Sequence, residues 1–61
     1  MKALYSDHHV YALRNYGTIA ALRNEVKKAR LFYENTGYKV SILWVGQRQE
    51  FIVMWREIKA N

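Results

Sequence analysis

Cysteine and proline are both missing from the 61 residues, and glycine occurs only three times. Without cysteine there is no disulfide and no thiolate metal site, so two usual staples of a very small fold are gone. Acidic residues are scarce as well. Five Asp and Glu stand against ten Lys and Arg, a formal net charge of +5. No apolar run approaches the ~20 residues that a membrane helix needs. The stretch from Met1 to Tyr5 turns polar at Ser6 and Asp7, too short for the apolar region of a signal peptide. A cytoplasmic location, away from the membrane, is the expectation.

Length is also in short supply. A single domain, residues 1–61, is the ceiling. A chain of this size buries only about 60% of its unfolded surface, so it needs very good packing or a second copy of itself. What is present suits that need. The chain is 51% hydrophobic and 25% charged, which is the balance of a globular chain and not of a disordered basic tail. Two Trp, five Tyr and two Phe supply much buried area per residue. The positive charge favours acidic partners, nucleic acid among them, although on a small domain it also serves solubility.

With proline absent, the glycines punctuate the chain. Between Gly17 and Gly37 lies the clearest element. Thr18 is a candidate N-cap, and Ile19, Leu22, Val26, Ala29 and Tyr33 recur at 3-4-3-4 spacing. This predicts a helix over about 18–35, ended by Asn35-Thr36-Gly37 with Gly37 in the left-handed conformation. Residues 38–45 and 50–58 are rich in β-branched and aromatic side chains, and Gly46-Gln47-Arg48-Gln49 is short enough to join them as a hairpin. If Val45 pairs with Glu50, one face reads Tyr38, Val40, Ile42, Trp44, Phe51, Val53 and Trp55, apolar throughout. A slip of one residue would mix Lys39 and Ser41 into it, so the pattern selects that register. His9 to Arg14 reads as a further strand, about 8–14, with residues 1–7 a possible extension or lead-in.

The order strand, helix, strand, strand gives an α+β fold, a single small βαββ domain. Its sheet is antiparallel with three strands in the order 1-3-2, and one helix packs on one face. The architecture resembles half of a ferredoxin-like fold, with no family motif attached.

One helix covers one face of such a sheet. The reverse face then carries Leu43, Val45, Ile52 and Met54 near the hairpin. That is more apolar surface than a small monomer usually shows to water. A homodimer packed sheet on sheet is the preferred cover; N-terminal residues folding back, or a different protein, are the alternatives. On the helix, Leu31 lies opposite the core stripe beside Ala20, and Phe32 on the far flank is expected to be half-buried.

Candidate chemistry is sparse. Arg23, Lys27 and Arg30 share one helix flank at i, i+4 and i+7, a row able to track phosphates, with Asn24 able to reach a base edge. The plainer reading is a solvated face on which Arg30 pairs with Glu34. A stacking platform for single strands is disfavoured, because the aromatic sheet face is expected to lie under the helix. His8 and His9 point to opposite sides of an extended segment and cannot easily share a metal ion. The adjacent Ser6, Asp7 and His8 have the wrong geometry for a triad, Glu50 and Glu57 face opposite sides, and no phosphate loop is present. No cofactor, no small-molecule substrate and no enzyme activity are expected. The function expected is that of a small non-enzymatic binding protein, a regulator or inhibitor of the kind phages and mobile elements carry, docking on a partner protein. The alternative is a basic dimer that binds nucleic acid through Arg23, Lys27 and Arg30.

Overall fold

The computed structural model describes residues 7–58. Strand β1 (Asp7–Ala12) leads into a 3-10 turn (Leu13–Asn15), then helix α1 (Ile19–Asn35) and the hairpin of β2 (Tyr38–Val45) and β3 (Glu50–Glu57). The sheet has the order β1-β3-β2, with both outer strands antiparallel to β3. The expected α+β fold, sheet order and helix packing are all present. Cover of the reverse face by residues 1–6 lies outside the described residues.

The hairpin register is the one the apolar pattern selects. Val45 pairs with Glu50, Trp44 with Phe51, Ile42 with Val53 and Val40 with Trp55. Alternation of side chains then puts both sets on one face, and α1 packs there. Leu22 and Val26 of α1 close on Val53 of the central strand. Around this centre pack Tyr11, Leu13, Tyr16, Val40, Ile42, Phe51 and Trp55.

Helix α1 is capped at both ends as its sequence suggests. The Thr18 side chain accepts a hydrogen bond from the Ala21 backbone N–H at 3.2 Å. After Thr36, Gly37 takes φ +102° and donates its N–H to the Glu34 carbonyl at 3.2 Å. The Gly37 carbonyl in turn accepts from Ile58 N–H at 3.4 Å, which ties the helix end to the end of β3.

Four details differ from the sequence reading. The first strand ends at Ala12 and not at residue 14. The chain curls there, because the Tyr16 and Gly17 N–H groups both donate to the Leu13 carbonyl at 3.0 Å. That curl turns Leu13 and Tyr16 onto the core. Ile19, the first residue of α1, is exposed, so the buried stripe starts one turn later at Leu22. Phe32 is 64% exposed and not half-buried. Trp44 is 42% exposed although it lies on the helix-covered face. Its neighbour Phe51 lines a groove walled by Arg23 and Lys27, long cations whose heads stay in water and do not seal a sheet.

Among the described residues, no helix is long and apolar enough to cross a membrane.

Candidate functional site

Two surfaces stand out, one on each side of the sheet. The first is the reverse face. Its pairing sets Val10, Ile52 and Leu43 side by side across all three strands. Met54 lies between His8 and Ser41 in the next row, and Glu50 lies between Ala12 and Val45 in the row nearest the hairpin tip. Leu43 is 52% exposed and Val10 is 41% exposed, while Val45, Ile52 and Met54 are half-buried. All four residues expected on this face are on it. Val10 joins them, and the sequence reading missed it. Its signal was the odd-even phase of the first strand, which could not be fixed without a partner strand.

Glu50 sits on this face as the register requires, and its burial is what the sequence did not signal. It is the one charged or polar residue buried among those described, and its carboxylate meets the Arg14 guanidinium at 3.5 Å. A buried carboxylate needs such a partner. Arg14 lies in the 3-10 turn after β1, so this ion pair joins the first strand's end to the start of β3.

The second surface is a groove of about 430 Å³ between α1 and the hairpin. Arg23, Asn24, Lys27 and Arg30 form its helix wall, and Val26, Ile42 and Phe51 supply its apolar lining. The helix spacing brings the three cations to one flank as expected, and Asn24 stands with them. Arg30 is held by Glu34, with Nε 3.3 Å from the carboxylate. Lys28, on another side of the helix, pairs with Glu25 at 3.6 Å. Among the described residues neither Arg23 nor Lys27 has an ion-pair partner. Beside the groove, the Trp44 ring tilts on Phe51, with centroids 4.6 Å apart.

Burial, then the neighbouring phenols of Tyr33 and Tyr16 and the Glu25 carboxylate, raise the Tyr11 phenol above its ordinary pKa. His8 and His9 are both exposed, and His9 packs on Tyr11 with centroids 4.5 Å apart. Among the described residues no three His, Asp or Glu side chains gather closely enough to hold a metal ion.

No protein-family model, curated protein or solved structure matches the chain.

Proposed function

We propose that this is a small non-enzymatic binding protein, a regulator or inhibitor that docks on a partner protein and works as a homodimer. The observation that carries the reading is the Val10–Ile52–Leu43 row, which runs unbroken across the reverse face of the sheet. Apolar side chains in such a row favour removal from water by roughly 25 cal/mol per Å². A second copy is the occupant best suited to this face. Only Ala12, Leu22, Val26 and Val53 are buried hydrophobics among the described residues, so one copy has little core of its own. Sheet-on-sheet packing about a two-fold axis would extend that core with an identical face.

The helix side then points away from the dimer contact. It presents Leu31 and Phe32, 49% and 64% exposed, as apolar anchors for a partner protein. Among the described residues, the polar groups lining the groove are three cations and an amide. Such donors hold negative charge, which supports a binding role.

Light scattering after size exclusion tests the assembly. The wild-type chain is expected at twice its monomer mass, and Leu43→Lys combined with Met54→Lys is expected to halve it. A wild-type chain that stays monomeric across the accessible concentrations overturns the dimer.

A further inference from the structure

We propose that the groove between α1 and the hairpin binds a single strand of nucleic acid, with phosphates on the helix wall and a base on the exposed aromatic corner. This site lies on the opposite side of the sheet from the dimer contact, and it is complete within one copy of the chain.

Charge defines the helix wall. Arg23, Lys27 and Arg30 line the groove together with Asn24, and among the described residues no carboxylate lines it. The row rises ~10 Å along the helix, long enough to meet more than one phosphate of a strand. Arg23 and Lys27 keep their charges unpaired among the described residues. Arg30 is already oriented by Glu34. The wall is therefore a cationic row with one member braced.

The aromatic corner selects the kind of polyanion. Trp44 is 42% exposed and leans on Phe51, which itself lines the groove. An indole face beside a cationic row is the arrangement that takes a nucleobase while the backbone follows the charges. A base paired within a duplex has its faces covered by its neighbours, so the corner demands an unpaired strand. An acidic peptide would satisfy the cations and leave the indole idle. The size agrees, since ~300–1,000 Å³ is the range of sites that hold one small organic unit. Asn24 adds an amide able to donate to and accept from a base edge.

The test is fluorescence anisotropy with labelled oligo(dT) and oligo(U) twelve residues long, against a mixed-sequence DNA duplex of equal length and poly-glutamate. At low salt a single strand is expected to bind at least tenfold more tightly than either competitor. The affinity should fall with rising salt through counterion release. Arg23→Glu with Lys27→Glu is expected to weaken binding at least a hundredfold and to flatten the logarithmic salt slope by about 1.4. Trp44→Ala should weaken it roughly tenfold, the weight of one lost stack, and leave the slope unchanged. Trp44→Phe should restore most of the loss, which separates stacking from a general effect on the fold. Light scattering on the same variants should report the wild-type mass, so loss of the groove and loss of the dimer are told apart. Equal affinity for the duplex or for poly-glutamate overturns the proposal, as does indifference to Trp44→Ala.

Discussion

The Tyr33 ring lies face to face on Trp55, with centroids 3.9 Å apart and planes inclined by 12°. Tyr33 belongs to the last turns of α1 and Trp55 to the central strand, so this pair fastens the far end of the helix to the sheet. Tyr38, the first residue of β2, meets the same Tyr33 ring edge-on at 6.0 Å. Three elements thus share one aromatic contact. Tyr33→Ala should cost about 2 kcal/mol, less than a fully buried ring because Tyr33 is half-buried. For a domain of this size that lowers the melting temperature by ~10 °C. Tyr33→Phe keeps the ring and should melt close to wild type. Thermal unfolding followed by circular dichroism reads both.

The two helix caps are independent and their effects should add. Thr18→Ala removes the acceptor for the Ala21 N–H and should cost ~1 kcal/mol. Gly37→Ala meets nothing within 4 Å, so its penalty comes from the backbone at φ +102° alone. That penalty is also ~1 kcal/mol. The double variant should lie near the sum in urea unfolding, because the sites are a helix length apart. A double variant no worse than either single one would show that one cap frays in the native state.

Alkaline pH should weaken the fold through Tyr11. Its phenol pKa is raised in the folded state, chiefly by burial. The folded chain therefore holds that proton more tightly than the unfolded chain. The resulting stability is fully present below the ordinary phenol value of ~10 and is lost as pH rises through the higher folded value. Melting temperatures taken from about pH 8 to about pH 11 should fall at the upper end. Tyr11→Phe should make that fall shallower, since the phenylalanine ring keeps the packing and has no proton to lose.

Neighbouring residues of β1 should behave in opposite ways. Val10 is in the row across the reverse face, and His9 is on the helix side next to Tyr11. Val10→Lys should shift the dimer to monomer in light scattering at micromolar concentration. His9→Lys, one position away on the same edge strand, should leave the mass unchanged. Equal effects of the two would assign the contact to the strand edge and not to the face.

The hairpin was readable residue by residue because its alternation is strict: one slip buries Lys39 and Ser41. Thr18 and Gly37 were readable because cap chemistry is local. The first strand was not, since His8, His9 and Val10 give no clear phase until β3 fixes it. The basic row of Arg23, Lys27 and Arg30 followed from helix spacing alone. Its nearness to Phe51 and to an uncovered Trp44 did not, because that depends on where the helix crosses the sheet. Glu50 looked like an ordinary hairpin charge, and only the curl after Ala12 brings Arg14 to it.

The strand order also has a consequence for how the chain comes together. Among the described residues β1 pairs only with β3, and residue 12 meets residue 50. The helix and the hairpin can form from near neighbours, whereas β1 must wait for a loop spanning most of the chain to close. During synthesis β1 therefore emerges well before the strand it pairs with, and this sheet is finished only after β3 has been made.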